Sequence, residues 1–277
     1  MQEEDNFKDT RKKISEETRR QIRKLTLMNN AFMNLVLENN CECTEEILRI
    51  IINRDDLFVK SVRTQKMFQG FERSVCLDVY AEDSEHSRYN IEIQRSNEGA
   101  NPKRARFHTG MIDAHSLKAG QNFNELPNCY VIFITLNDVL GLGKAIYTIH
   151  KYIDDELSLF DDGSHTIYIN TSAKNDNSEI WKLIHDLRCE NPDEMYLPQL
   201  SARVKFLKGQ EKGSVIVGDY FEELQAKAVA QAVANTERQQ AENIVKNLLL
   251  IGKLTLEEIA KGCGLTVERV QAIAKTL

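Results

Sequence analysis

Apolar and polar positions alternate most regularly in residues 75–96, VCLDVYAEDSEHSRYNIEIQRS. Two such runs flank a polar segment of five residues, 83–87, and this pattern predicts a β-hairpin. Because successive side chains of a strand point to opposite faces, one face of the hairpin is predicted to be apolar. The side chains on that face would be Leu77, Val79, Ala81, Tyr89, Ile91 and Ile93.

Periodicity predicts the remaining elements as well. A helical pattern runs from Leu25 to about Glu38, and a short helix follows over 44–52 with Thr44 as its N-cap. Further helices are predicted over 102–120, 178–188, 198–207 and 219–251. Further strands are predicted over 57–64, 129–136, 145–152 and 165–170. The central part of the chain is therefore predicted to be an α/β domain in the order helix, three strands, helix and strand.

The hairpin carries two carboxylates on the face opposite the apolar one. If Glu82 pairs with Arg88 across the turn, the same register places Asp78 opposite Glu92, with Cβ atoms about 5 Å apart. Asp78 and Glu92, called the carboxylate pair below, would repel each other unless a cation bridges them. Hard carboxylate oxygens favour Mg²⁺ or Mn²⁺, which keeps bound waters and leaves room for a phosphate oxygen. The alternative is a solvated hairpin face with scattered charges, since it also carries Tyr80, Glu82, Arg88 and Asn90.

An Asp, a hairpin and then Glu-x-Gln resembles the PD-(D/E)xK nuclease signature, in which Lys usually stands where this chain has Gln94. More narrowly, residues 27–206, about two thirds of the chain, resemble the recombination-promoting nuclease and putative transposase family of that superfamily. The matching phrases, in chain order, are LMNNAFMNLVLENNCECTEEILRIIINRDD, SVRTQ, LDVYAEDSEHSRYNIEIQRS, KRARFHTGMIDAHSLKAG, LPNCYVIFITLNDVLG and PDEMYLPQLSARVKFLK.

The resemblance implies a restriction-endonuclease-like core, with a mixed central sheet flanked by helices, followed by a long helix and a small helical module. It implies that Asp78, Glu92 and Gln94 are catalytic. It also implies that the backbone carbonyl of Ile93 joins the carboxylate pair as a metal ligand. A Gln offers a neutral amide that positions a water without supplying the charge of a Lys. We therefore expect a slower reaction than in a Lys enzyme.

The first helix departs from the family pattern. Relatives tend to have an acidic pair before Phe-Met, whereas this chain has Asn29-Asn30. Asn30 can still form hydrogen bonds near the site, but it cannot neutralise a second metal ion. Glu38, one to two turns onward, is the candidate substitute.

A basic cluster follows the signature strand on the next predicted helix, at Lys103, Arg104, Arg106 and His108. Lys103 and Arg106 are three residues apart and therefore share a helix face. The cluster would hold DNA phosphates without reading sequence. The alternative interpretation is an ordinary solvated basic face.

Residues 255–277 have the pattern of a helix-turn-helix, with Gly264 in the turn. The second helix would read DNA, and the alternative is a helical hairpin used for packing. The preceding helix carries a narrow apolar stripe that predicts a homodimer, formed by Phe221, Leu224, Ala228, Ala232 and Val233. The predicted organisation is a charged leader (1–24), a nuclease-like domain (25–212), a helical linker (213–252) and the helix-turn-helix module (253–277).

Composition narrows the classes of function. Apolar residues make up 42% of the chain and charged residues 28%, as in ordinary soluble proteins. No run approaches the roughly 20 apolar residues of a membrane span, so no membrane partner is expected. The N-terminal residues MQEEDNFKDTRKK lack an apolar signal core and the six cysteines form no CxxC pair, which together favour a cytoplasmic location. The net charge of −6 argues against a generally basic DNA-coating protein and restricts DNA contacts to local patches.

These observations predict a Mg²⁺- or Mn²⁺-dependent DNA endonuclease of the transposon-associated, recombination-promoting type. The alternative, motivated by Asn29-Asn30 and Gln94, is a catalytically weak DNA-binding protein that retains the nuclease scaffold. A third class, an RNA-acting nuclease, stays open.

Overall fold

The computed structural model describes residues 14–70, 72–154 and 158–277. The chain divides into two compact units, Met1–Gly218 and Asp219–Leu277. More than half of the predicted charged leader, residues 1–13, lies outside the described residues. The rest of that leader contains a helix with one buried apolar side chain, Ile22.

The elements follow the order that the sequence predicts, with helices before three strands, then a helix and further strands. The helices are α1 (Glu16–Arg23), α2 (Asn30–Leu37), α3 (Cys41–Ile52), α4 (Pro102–Ala114), α5 (Glu179–Arg188), α6 (Pro198–Gly209), α7 (Glu211–Ile251), α8 (Leu256–Cys263) and α9 (Val267–Ala274). The strands are β1 (Val59–Phe68), β2 (Val75–Asp83), β3 (Arg88–Gln94), β4 (Cys129–Thr135), β5 (Ile146–Ile149) and β6 (Ser164–Asn170). The predicted α/β class, with a long helix and a small helical module at the end, is confirmed.

The six strands form one mixed sheet in the order β1-β2-β3-β4-β6-β5. Neighbouring strands from β1 to β3 are antiparallel, β3, β4 and β6 run parallel, and β5 is antiparallel to β6. The three parallel strands end at one edge of the sheet, where Gln94 pairs with Thr135 and Thr135 with Asn170. Side chains just beyond these strand ends therefore lie close together.

The predicted hairpin forms with the predicted register. Tyr80 lies opposite Asn90, and Glu82 lies opposite Arg88. The interpretation of its polar face as solvated is wrong, since Asn90 and Glu92 are completely buried. The reason is tertiary: the hairpin lies between β1 and β4, and α4 packs over this face. A core cluster of α4, β2 and β4 side chains surrounds it, including Tyr80, Ala105, Ile112, Val131 and Phe133.

Several helix boundaries differ from the prediction. The helix predicted from Leu25 begins at Asn30, and the one predicted from Asp219 begins at Glu211. The N-cap of α3 is Asn40, whose side chain accepts a hydrogen bond from the backbone N–H of Cys43. Thr44, the predicted cap, lies inside the helix and its hydroxyl donates to the carbonyl of Asn40. The helix predicted over 102–120 ends at Ala114. There the hydroxyl of Ser116 donates to the carbonyl of Ile112 and so caps the last turn.

Two strands also differ in length from the prediction. Strand β1 continues to Phe68, because residues 66–68 still pair with β2. Strand β5 is shorter than the predicted 145–152, because only Ile146–Ile149 pair with β6. Tyr152 instead forms an isolated bridge with Leu159.

The second unit contains the C-terminal part of α7 together with α8 and α9. Gly252 and Gly264 follow α7 and α8 with φ of +66° each, a left-handed conformation that ends a helix at low cost for glycine. The three helices enclose a small core of Val245, Ile259, Ala260, Val270 and Ile273. The predicted C-terminal helix pair is therefore present, and DNA reading by α9 stays a prediction.

The described part of the chain contains no helix with the length and apolar character needed to cross a bilayer. All six cysteines are free thiols, and Cys43 and Cys129 are buried.

Candidate active site

The carboxylate pair lies where the β2–β3 ladder ends. The regular pairing stops at Val79 and Ile91, and beyond that point the carboxylates accept backbone hydrogen bonds across the two strands. The N–H of Asp78 donates to Oε1 of Glu92 over 3.3 Å, and the N–H of Ile93 donates to Oδ2 of Asp78 over 3.3 Å. Each strand thus fixes the carboxylate of the other before any ligand binds.

Two amides orient Asp78 further. Nδ2 of Asn30, at the start of α2, donates to Oδ1 of Asp78 over 2.9 Å. Nε2 of Gln65, on β1, donates to the same oxygen over 3.3 Å. The other end of the Asn30 amide, Oδ1, is buried and has no hydrogen-bond partner among the described residues. A buried oxygen without a donor is costly, and a cation beside the carboxylate pair would offset that cost.

Glu92 is completely buried and contacts three side chains through its two oxygens. Nη2 of Arg104 donates to Oε2 over 3.0 Å, and Nε2 of Gln94 approaches the same oxygen at 3.5 Å. Nδ1 of His108 lies 3.6 Å from Oε1. Burial lowers the pKa of His108 to about 4, with Arg104 adding to the effect, so this imidazole is neutral at pH 7 and the contact is not an ion pair.

Burial destabilises the ionised forms of the carboxylate pair. It raises the pKa of Glu92 to about 7, with repulsion from Asp78 as the second cause. Burial likewise raises the pKa of Asp78, against the opposing effect of its hydrogen bonds to Asn30 and Ile93. One guanidinium, that of Arg104, does not balance two buried carboxylates. A divalent cation would remove the deficit and lower both pKa values.

The donor set fits Mg²⁺ or Mn²⁺. These ions bind through one or two hard carboxylates and fill their remaining positions with waters and substrate phosphate oxygens. The carboxylate pair supplies two such ligands, and the unpaired Oδ1 of Asn30 is a further hard oxygen beside Asp78. No cluster of three or more His, Cys, Asp or Glu side chains suitable for a metal occurs in the described ranges. The site therefore suits an ion that keeps open positions rather than a closed structural metal.

Gln94 occupies a position kept free by a glycine. A Cβ atom on Gly99 would lie 1.9 Å from Oε1 of Gln94. Gly99 belongs to a short 3₁₀ turn, Asn97–Ala100, which follows β3. The glycine therefore allows the backbone of this turn to approach the Gln94 amide closely.

The other predicted site residues differ in their contacts. The carboxylate of Glu38 accepts hydrogen bonds from the backbone N–H and hydroxyl of Thr64 on β1, and its role at the site stays a prediction. Of the basic cluster, Arg104 reaches Glu92, whereas Lys103 and Arg106 are exposed on α4. The DNA contacts of this cluster and the ligand role of the Ile93 carbonyl stay predictions.

Sequence reasoning missed Gln65 as a neighbour of the carboxylate pair, and it named His108 only as a member of the basic cluster. Gln65 has a φ of +52° within β1, a left-handed conformation that costs a non-glycine residue about 1–2 kcal/mol. It occurs opposite Asp78, and the strained residue donates to that carboxylate. His108 follows Arg104 by four residues, and this spacing places both side chains over Glu92. That i, i+4 spacing on a helix after the signature strand is the signal that the sequence offered.

Comparison with known proteins gives one match. No curated protein and no solved structure matches the chain. Residues 55–191 match the family model described as a PD-(D/E)XK nuclease family transposase. The matched range contains the carboxylate pair, Gln94 and the whole sheet from β1 to β6, and the mixed sheet with flanking helices is of the restriction-endonuclease-like type. The chain therefore belongs, through these residues, to the PD-(D/E)XK nuclease family of transposases, which indicates a nuclease-type function.

Proposed function

We propose that the protein is a Mg²⁺- or Mn²⁺-dependent DNA endonuclease of the recombination-promoting, transposon-associated type. The observation that carries the proposal is the carboxylate pair, which is buried, fixed by backbone N–H donors and left with an uncompensated negative charge. This arrangement is suited to a divalent ion that must also accept a phosphate. The family match supports nucleic acid as the source of that phosphate.

The residues of the site have separable roles in this proposal. The carboxylate pair and the carbonyl of Ile93 would hold the ion, which would polarise the scissile phosphate and lower the pKa of a water. Asn30 and Gln65 keep Oδ1 of Asp78 in place through their hydrogen bonds. Gln94 presents a neutral amide that orients the attacking water.

Arg104 supplies the positive charge that Gln94 cannot. Its guanidinium lies 3.0 Å from the Glu92 oxygen that the Gln94 amide also approaches. In the general superfamily signature a Lys stands at the position of Gln94. In this chain an amide from β3 and a guanidinium from α4 share one carboxylate oxygen. We propose that Arg104 stabilises the charge that develops on the phosphate, as preorganised donors do in general.

The test is cleavage of supercoiled plasmid by purified protein with Mg²⁺, Mn²⁺ or EDTA. We expect nicked or linear DNA with either metal and none with EDTA. Asp78→Asn keeps the side-chain volume and should abolish cleavage, whereas Glu82→Gln, on the same strand, should leave it intact. Thermal unfolding of both variants controls for folding. Cleavage by Asp78→Asn at the wild-type rate would identify a contaminating nuclease and refute the proposal.

A second candidate is a DNA-binding scaffold with little catalysis. Asn30 favours it, because an amide stands where relatives tend to have an acid. The described residues also contain no group of three or more His, Cys, Asp or Glu side chains that could hold a metal. Calorimetric titration with Mn²⁺, with and without duplex DNA, separates the candidates. Absence of metal binding in both titrations, together with DNA binding, would support the scaffold. A panel of duplex DNA, single strands and RNA identifies the preferred substrate.

For the second unit we propose that α8 and α9 form a helix-turn-helix, which contacts DNA through the start of α9. We also propose that the chain self-associates through α7, the helix that precedes this module. Arg269 of α9 forms an ion pair with Glu242 of α7. This contact fixes α9 against the long helix within the unit.

A further inference from the structure

A cavity of about 310 Å³ lies at the carboxyl ends of β3 and β4. Its charged lining residues are all basic, namely Lys24, Arg95 and Arg188. The loop between α1 and α2, with Thr26 and Asn29, completes the wall. This space is called the cationic cavity below.

Residues that line the cationic cavity are adjacent in sequence to residues that contact the carboxylate pair. Arg95 directly follows Gln94, and Asn29 directly precedes Asn30, whose amide binds Asp78. A third lining residue, Leu136, donates its backbone N–H to the carbonyl of Gln94 over 3.1 Å. In open α/β sheets, ligands bind beyond the carboxyl ends of the parallel strands. The cavity occupies that place, next to the site proposed to cut the phosphodiester.

The walls of the cationic cavity are held in place by hydrogen bonds to backbone carbonyls. The N–H of Met28, in the loop before α2, donates to the carbonyl of Leu187 in α5 over 3.1 Å. Nη1 of Arg188, at the end of α5, donates to the carbonyl of Thr171 just after β6 over 2.8 Å. These contacts position the loop and one guanidinium before any ligand arrives, so the cavity is built rather than formed by chance from mobile side chains.

Its charge distinguishes the cationic cavity from other depressions on the same unit. The cavity beside α3 is lined by Glu42, Glu45, Glu46 and Glu179 in addition to its basic residues. The cavity beside β5 is lined by Asp138 and Asp176. Three cations without a carboxylate in the wall favour an anionic ligand. In a protein with a net charge of −6, such a concentration of positive charge is local.

We propose that the cationic cavity binds a backbone phosphate of the nucleic acid next to the one that is cut, through Lys24, Arg95 and Arg188. The proposal rests on the nuclease function and adds a second contact point to it. A volume of about 310 Å³ is at the lower end for ligand cavities, which suits a single phosphate with its sugar. Held at two points, the strand would present the scissile phosphate to the carboxylate pair in one orientation.

The test uses the full chain and a fluorescein-labelled DNA duplex, with Ca²⁺ in place of Mg²⁺ and fluorescence anisotropy measured over a range of salt concentrations. Each phosphate contact adds about 0.9 to the slope of log affinity against log salt. Lys24→Ala with Arg95→Ala removes the contact with this one phosphate and should reduce that slope by about 0.9 and the affinity about 8-fold at 0.1 M salt. Lys118→Ala, an exposed lysine after α4, is the matched control and should retain the wild-type slope.

The outcomes are distinct. An unchanged slope in the double variant, or an equal loss in Lys118→Ala, overturns the subsite. Tight binding of inorganic phosphate that depends on Lys24 and Arg95, with unchanged duplex binding, overturns the assignment to nucleic acid. Wild-type protein that binds the duplex but never cuts it with Mg²⁺ refutes the nuclease function alone. Wild-type protein that cuts, while the double variant binds and cuts equally well, refutes the subsite alone, and wild-type protein that binds no duplex refutes both.

Discussion

Replacing Glu92 by Gln removes the buried charge while keeping the shape of the side chain. Burial and repulsion from Asp78 raise the pKa of Glu92 from its ordinary value of 4.5 to about 7. Above pH 7 Glu92 is therefore ionised in the folded chain, and its ionisation there requires more free energy than in the unfolded chain. We expect metal-free Glu92→Gln protein to be more stable than the wild type at pH 8 and to be inactive with any metal.

The size of the effect follows from the linkage between protonation and folding. A pKa difference of one corresponds to about 1.4 kcal/mol, so the full cost of ionising Glu92 is about 3 kcal/mol. The folded pKa is the higher one, so the cost is absent below about pH 4.5, grows between pH 4.5 and 7, and is complete above pH 7. Since Asp78 titrates with Glu92, the measured value belongs to the pair.

Urea unfolding in EDTA, at several pH values from 4.5 to 8.5, measures this difference in the free energy of unfolding. Groups common to both proteins cancel, which leaves the curve of the pair. Glu82→Gln on the same hairpin is the control with the opposite sign. A hydrogen bond from Arg88 lowers the pKa of Glu82, so its carboxylate stabilises the fold above its ordinary pKa and that contribution is lost as the pH falls.

The result that refutes this reasoning is a difference between Glu92→Gln and wild type that does not change with pH. It would mean that the pair is ionised without cost and has no need of a cation. If the reasoning holds, Mn²⁺ should stabilise the wild type at pH 8 according to its concentration and affinity, and should leave Glu92→Gln unaffected.

Four further predictions concern residues around the pair and the second unit. Arg104→Ala should reduce the cleavage rate about 100-fold or more, the usual cost of losing a charge-stabilising donor, and adding Gln94→Lys should restore part of that rate; no restoration would deny that the two positions share a role. Gly99→Ala should lower the rate while changing the melting temperature little, because the new methyl group displaces only a flexible side chain. Gln65→Gly should keep or raise stability, since it relieves about 1–2 kcal/mol of backbone strain, yet lower metal affinity in calorimetry; unchanged metal affinity would make the strained residue merely structural. Light scattering should show a dimer for the full chain and a monomer when 219–277 are removed, and two monomers would refute the proposed self-association.

The hairpin and its two carboxylates could be predicted because local rules determine them. A five-residue turn fixes which residues face each other, so the pairing of Glu82 with Arg88 followed from the sequence and was found. The burial of Glu92 did not follow, because it depends on α4 crossing the face through Arg104 and His108. Alternation alone predicts a hairpin with one solvent-exposed face, whereas tertiary packing buries that face.

Some local details of the structure could not be predicted from the sequence. Asn40 and Thr44 are both good caps, and only the geometry of the first turn selects Asn40 for α3. Gln65 has no local feature in the sequence that predicts a φ of +52°. The role of Gly99 could not be predicted, because it depends on the close approach of the turn after β3 to the side chain of Gln94.

The composition of the site leads to a last argument about metal dependence. The side chains that orient the site are amides, namely Asn30 and Gln65 on Asp78 and Gln94 on Glu92. Amides fix direction without neutralising charge, and a superfamily enzyme with Lys at the position of Gln94 carries part of the compensation in its own chain. Here the carboxylate pair depends on one partly exposed guanidinium and on the ion itself. Protons near neutral pH compete with that ion, because the pKa of Glu92 is raised to about 7, and metal binding must therefore release protons. At a fixed, subsaturating Mg²⁺ concentration the cleavage rate should accordingly rise between pH 6 and 8. At saturating Mg²⁺ this rise should become much smaller. A rise of the same size at both concentrations would assign the pH dependence to another group.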